Sequence, residues 1–405
     1  MGTFFVFATW LDVLAISACI GALVCVCWVL PRNAPVALKE TVWAGFGWAT
    51  GLLTVASGVL LASRTLEFSG AALSGLGHFL PLVLKRTQYG LIWSWRMGAV
   101  GVLWLCWLSG RHRLSRRTVE CLAGGALLVV VFSRSATGHA GDQGIFSGAV
   151  WVDGLHVVAG AVWVGSLFTM SSRVMPWFTN VAGDQRTLVV EVFERLSAIA
   201  GAALLVIVIT GTLNAWEGLG KIGSLWDSRY GQILSVKLTL VAWMVGIGAH
   251  NRYVKLPALA RWANRTPRPR PPGARLFRPG ARAFGGSPKP EAGLLRVSAR
   301  AVNTESLLGI GVLVAAALLH HAMPPKDKRH LGNETSLSKP VLTNGIAQKA
   351  TAMRIESSVV VIRYDVKWPY LIPNSTRRYQ ASMPSYGVWS VIVPSRSQTL
   401  CSVSV

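Results

Sequence analysis

Charged side chains make up only 14% of the 405 residues, where a soluble domain carries about 25%. So thin a supply cannot cover a soluble protein of this size, which excludes most soluble enzymes. Acidic residues are the scarcest charge: 17 Asp and Glu stand against 40 Lys and Arg, a net +23. The same balance, with so much apolar sequence, excludes a chain that is disordered throughout. The six cysteines include no Cys-x-x-Cys pair: Cys19, Cys25, Cys27, Cys106 and Cys121 lie in apolar stretches and Cys401 near the end. A zinc ribbon, a dithiol redox motif and a disulfide scaffold are therefore not expected. No Gly-x-x-x-x-Gly-Lys-Ser/Thr loop is present, so the chain carries no P-loop ATPase signature. No basic residue precedes Arg32, and the first apolar stretch reads as a membrane span rather than a cleaved signal.

What remains is apolar. Hydrophobic residues make up 52% of the chain, mean hydropathy is +0.44, and 17 Trp fit the belts at membrane interfaces. A transmembrane helix needs about 20 mostly apolar residues. Eight stretches qualify: Phe7–Leu30, Thr41–Ala62, Tyr89–Leu108, Glu120–Ser133, Gly148–Met170, Arg195–Trp216, Gly231–His250 and Val302–Ala322. The fourth is the shortest, of a length equally suited to a re-entrant or interfacial segment. The expected fold is an all-α polytopic membrane bundle of about eight transmembrane helices.

Loop charge orients such a bundle. Basic residues follow the first span (Arg32, Lys39) and the third (Arg111, Arg113, Arg116, Arg117). The connection 251–301 carries twelve Lys and Arg against one Glu. The alternate loops are far less basic, which makes the basic ones cytoplasmic and both termini extracytoplasmic. Losing the fourth span would place the 251–301 loop on the wrong side, so the charges favour eight. That loop, rich in Pro, Arg and Gly, reads as a linker that orients the protein and touches anionic lipid. Its partner is the lipid bilayer and not a nucleic acid. The domain division is a transmembrane domain over 1–325 and a Ser/Thr/Pro-rich, poorly ordered tail over 326–405, whose one strand-like stretch is Ser358–Tyr364.

Topology then sorts the histidines. His78 and His139 fall in outer loops, His156 in the outer third of the fifth span, and His320 and His321 end the eighth, followed by Met323. Imidazoles with thioethers suit copper better than magnesium or calcium, although imidazole alone serves zinc or nickel equally. Asp153 lies three positions before His156, on the same helix face, as an outer-shell support for the ring. The rival reading of His156 is a structural interface residue. Cys25, Cys27, Cys106 and Cys121 fall near the inner ends of their spans and mark an inner path for a cuprous ion; the rival reading is four small hydrophobes. Asp12 and Arg96 are intramembrane charges placed to pair, while Glu305 and Lys237 read as interface residues.

The segments DGLHVVAGAVWVGSL, ATGHAG, ERLSAIAGAALLVIVITGTLNAW, YGQILSVKLTLVAWMVGIGAHNR and RVSARAVNTESLLGIGVLVAAALL resemble, in order, those of the copper resistance protein D (CopD) family. The resemblance covers about residues 135–325 and is strongest over 150–252. It implies a multi-pass protein of the bacterial cytoplasmic (inner) membrane that moves copper, chiefly inward, with periplasmic copper-binding proteins as partners. By position it gives His139 and His156 the copper roles, with Asp153 in support. It also places Glu305 at the family's acidic position. Two departures stand out. Asp12 occupies the first span where the family leads one to expect a His, and the 331–405 tail matches nothing in it. The expected function is copper transport, without enzymatic activity. The alternatives are a haem-binding membrane oxidoreductase using His156 and His320 as axial ligands, and a non-transporting copper-buffering or assembly protein.

Overall fold

The computed structural model describes residues 2–70, 73–109, 115–180, 185–221, 223–263, 291–322, 359–364 and 389–394. The chain divides into two units, Met1–His330 and Leu331–Val405. The first unit is built from α1 (Gly2–Val24), α2 (Val36–Ser69), α3 (Leu76–Arg86), α4 (Gln88–Ser109), α5 (Arg116–Ala136) and α6 (Gly148–Thr169). It continues with α7 (Met175–Asn180), α8 (Arg186–Leu219), α9 (Ser224–Asp227), α10 (Arg229–His250), α11 (Leu256–Trp262) and α12 (Glu291–His320). Among the described residues, eight helical stretches are long and apolar enough to cross a membrane, in the places the sequence indicates. The short fourth run is a full span, Arg116–Ala136: Ser115 caps it by accepting from the Thr118 amide at 3.2 Å.

The helices run past the apolar stretches that announced them. The sixth span extends to Leu219 and the seventh, through α11, to Trp262. The basic connection is accordingly shorter than the 251–301 read from composition, because both its ends are helical. Arg252, Lys255 and Arg261 continue α10, and Arg296 and Arg300 lie within α12. Long basic side chains at helix ends can reach interfacial water without breaking the helix. His78, placed in an outer loop by its polarity, sits instead on the short helix α3.

In the second unit, Val359–Tyr364 (β1) pairs antiparallel with Trp389–Pro394 (β2), Val361 opposite Ile392. The strand-like stretch is thus a strand. The rest of the proposed tail, and its poor order, lie outside the described residues.

α1 is the most enclosed span, packed between α2, α5, α6 and α12. Its crossing with α6 is a backbone contact: a Cβ on Gly21 would lie 2.0 Å from the Gly165 carbonyl carbon, and one on Gly165 would lie 1.8 Å from the Ser17 carbonyl oxygen. Small residues permit this approach where lipid offers no hydrophobic driving force between helices. Spans six and seven are the least enclosed, and their exposed Leu205, Val208, Ile209, Val236, Leu238 and Trp243 face outward as lipid-facing residues do.

Three of the long helices end in a widened π turn: Cys25–Val29 after α1, Met170–Val174 after α6 and Asn251–Lys255 after α10. Such turns release carbonyls from the helical ladder. After α1, Arg116 donates to the Val26 carbonyl at 2.9 Å and Arg195 to the Trp28 carbonyl at 3.4 Å, docking α5 and α8 there.

Gly165→Ala is expected to abolish the monodisperse size-exclusion peak of the detergent-solubilised protein. Gly160→Ala on the same helix, where a Cβ meets nothing within 4 Å, is expected to leave it.

Candidate functional site

At one end of the bundle, polar residues from six elements meet. Asp12 on α1 is fully buried and is held by two guanidiniums: Arg96 of α4, itself only 2% exposed, and Arg134 of α5 at 3.1 Å. Arg96 also donates from Nε to Ser57 Oγ of α2 at 2.9 Å. The pairing of Asp12 with Arg96 expected from sequence is present, and Arg134 is the partner that sequence missed. With two cations on one carboxylate, Asp12 is spent as a structural charge and the site around it is net positive.

Three histidines gather beside it. His139 Nε2 lies 3.1 Å from the His320 carbonyl, and the His139 and His320 rings are 5.7 Å apart. The His320 and His321 rings are 5.3 Å apart. Because a carbonyl only accepts, His139 Nε2 carries the hydrogen, and Nδ1 faces Asp142 at 3.7 Å. Because a guanidinium only donates, Arg64 Nη2, 3.3 Å away, occupies the Nε2 lone pair of His320. His321 Nε2 lies 2.8 Å from Thr9 Oγ1. Burial, with Arg64 nearby, pushes the His321 imidazole below its ordinary pKa, which favours the neutral, ligand-capable ring. His78 is exposed, its ring against its neighbour Phe79. Met323 lies outside the described residues.

His156 stands apart, inside the α6–α8 interface. Its Nδ1 is 3.0 Å from Thr210 Oγ1 of α8, and the Thr210 hydroxyl donates to the Val206 carbonyl at 2.7 Å. A hydroxyl has one hydrogen, so Thr210 accepts from imidazole and Nδ1 carries the proton. The Nε2 lone pair is then the one available to a ligand. Gly211 makes room for the ring: a Cβ there would lie 3.1 Å from His156 Cε1. The partner that fixes the tautomer is thus Thr210 and not Asp153, as sequence had suggested. A carboxylate on the same helix turn does not reach the ring atom that faces the neighbouring helix. Asp153 and Lys237 of α10 act on the imidazole through space.

The cysteines divide. Cys27 is half-buried on the π turn that also carries Cys25. Cys25 is fully buried, 3.8 Å from the Ser166 carbonyl, whereas Cys121 is exposed. Cys106 is buried in the apolar core. Among the described residues, no three His, Cys, Asp or Glu side chains converge closely enough to cage a metal ion. The arrangement offers single lone pairs rather than a closed coordination shell.

Eight apolar helices around a buried carboxylate–guanidinium knot define an all-α, multi-pass membrane protein. Comparison with known families narrows this: residues 1–149 match the "Copper resistance protein D-like, N-terminal domain" and residues 190–319 match "Copper resistance protein D". The chain belongs to the copper resistance protein D family. A relative from Pseudomonas syringae pv. tomato, named "Copper resistance protein D", is 29% identical over 228 residues, 52% of this chain and 70% of its own length. No solved structure matches.

Arg96→Leu leaves the buried Asp12 with one partner of two. Removing one member of a buried ion pair costs about 3–5 kcal/mol, so thermal melting in detergent is expected to fall sharply, and more than in Glu67→Gln, which breaks only the exposed pair of Glu67 with Arg64.

Proposed function

We propose that the protein carries copper ions across the bacterial cytoplasmic membrane. The observation that carries this reading is the His156 imidazole inside a membrane span, whose Nδ1–H bond to Thr210 leaves Nε2 as its ligand nitrogen. A residue that passes an ion onward needs a lone pair that binds it and also lets it go. One oriented imidazole meets that need better than a closed cage.

His139, His320 and His321 form the entry, on the extracytoplasmic side if the basic ends of the helices face the cytoplasm. The His320 lone pair is engaged by Arg64 and His321 Nε2 is held by Thr9, and the surrounding arginines repel a bare cation. Entry therefore favours copper delivered by a periplasmic copper-binding protein, whose docking displaces Arg64 from His320. Cys27, Cys25 and Cys121 lie near the opposite ends of their helices and supply soft ligands suited to a cuprous ion leaving the bundle. No ATPase motif accompanies them, so movement follows a gradient or a partner, and the protein acts as a permease and not as an enzyme. The haem reading would require His320 to release Arg64 first.

His156→Ala is expected to lower cellular copper accumulation at unchanged protein level; unchanged accumulation would remove His156 from the path. Thr210→Ala, which keeps the ligand but frees its tautomer, is expected to weaken copper binding about 10-fold to 100-fold, the usual cost of losing an outer-shell partner. Titration of cuprous ion against the purified protein measures it.

A further inference from the structure

Glu305 of α12 lies within a membrane span and is only 5% exposed. Sequence reading treated it as an interface residue, but the structure encloses it, and a carboxylate in such a place is costly. Its hydrogen bond comes from Asn251, whose Nδ2 donates to Oε1. Asn251 opens the π turn that ends α10, so the contact joins that turn to the middle of α12. Two residues earlier on α12, Asn303 Oδ1 accepts from Ser171 Oγ at 2.6 Å, tying in the π turn that ends α6.

The Asn251 oxygen is the unexplained atom. Oδ1 is buried and, among the described residues, has no hydrogen-bond partner. An amide offers both donors and an acceptor, and here only a donor is used. Turning the amide over would set its oxygen against the carboxylate and lose that bond. An ionised carboxylate only accepts and can never satisfy Oδ1. A protonated carboxyl does both, accepting from Nδ2–H through Oε1 and donating O–H from Oε2 to Oδ1. The acid and the amide then close a ring of two hydrogen bonds.

We infer that Glu305 and Asn251 form a proton-binding site, in which an O–H on Glu305 donates to the Asn251 oxygen and locks α10 to α12. Deprotonation breaks only that O–H bond. The proton passes to water, and one hydrogen bond remains between the helices. The charges around the site are few. Lys255, on the same π turn as Asn251, is the cation that acts on Glu305. Arg252 donates to the Ser197 carbonyl at 3.1 Å, and Arg173, on the α6 π turn, packs against Gly45 of α2. His250 precedes Asn251, and Arg300 lies one turn back on α12. The one charged residue of α1, Asp12, is paired with Arg96 and Arg134, and α7 has none. Nothing in this inference depends on copper or on His156, so the two readings fail separately.

The test is infrared difference spectroscopy of the full-length protein in lipid nanodiscs, from about pH 5 to pH 9. Wild type is expected to show a protonated-carboxyl C=O band that disappears as pH rises. Glu305→Gln, whose amide reproduces both hydrogen bonds of the protonated acid, is expected to fold normally and to lose the band. Asn251→Ala is expected to keep a titrating band at higher frequency, since the O–H has lost its acceptor. Identical difference spectra for wild type and Glu305→Gln, or a band unmoved by Asn251→Ala, would overturn the inference.

Discussion

The backbone contact between α1 and α6 is the constraint on which the rest of the bundle depends. Inside a bilayer, apolar side chains gain little by leaving lipid for protein, so helices hold together by close packing and by polar bonds. Gly21 and Gly165 let two helices meet with no side chain between them. That contact joins the first span of the chain to the fifth. It also presents the opposite side of α6 to α8, and there His156 finds Thr210 and the space over Gly211. A bulkier residue at either glycine would move the imidazole as well as the helix that carries it.

The polar bonds supply the second half of that logic and divide by purpose. Asp12 with Arg96 and Arg134 engages both carboxylate oxygens, one with each guanidinium, which suits a fastener between α1, α4 and α5. His156 and Glu305 are different, because each is left with unused capacity. The imidazole keeps one lone pair, and the Asn251 amide beside Glu305 keeps one acceptor. Unused capacity inside a membrane is costly, and on these two groups the proposed copper and proton sites rest.

Much of the architecture was legible in the sequence, for a simple reason. A membrane span is a long apolar run, and its signal is local, so eight spans could be counted and even the short fourth one defended by loop charge. The spans' true lengths were less legible, because Arg252, Lys255, Arg296 and Arg300 look like loop residues until their stems are seen running along helices. The site was legible only in part. His156 stood out as a histidine in an apolar helix, and its neighbour Asp153 was the natural partner within one helix. The actual partner, Thr210, is 54 positions away and emerges only when α6 meets α8. Arg134, Arg64 and Asn251 were missed for the same reason: each acts across an interface that no periodicity in the chain describes.

The central claim is that His156 waits with its Nδ1 protonated and its Nε2 free for copper. Nitrogen NMR of the protein carrying ¹⁵N-labelled histidine, with His156→Ala used to assign the ring, reads this directly. The account predicts an Nδ1–H tautomer in the metal-free protein and an Nε2 resonance that shifts when cuprous ion is added. An Nε2–H tautomer, or an Nε2 resonance indifferent to copper, would contradict it.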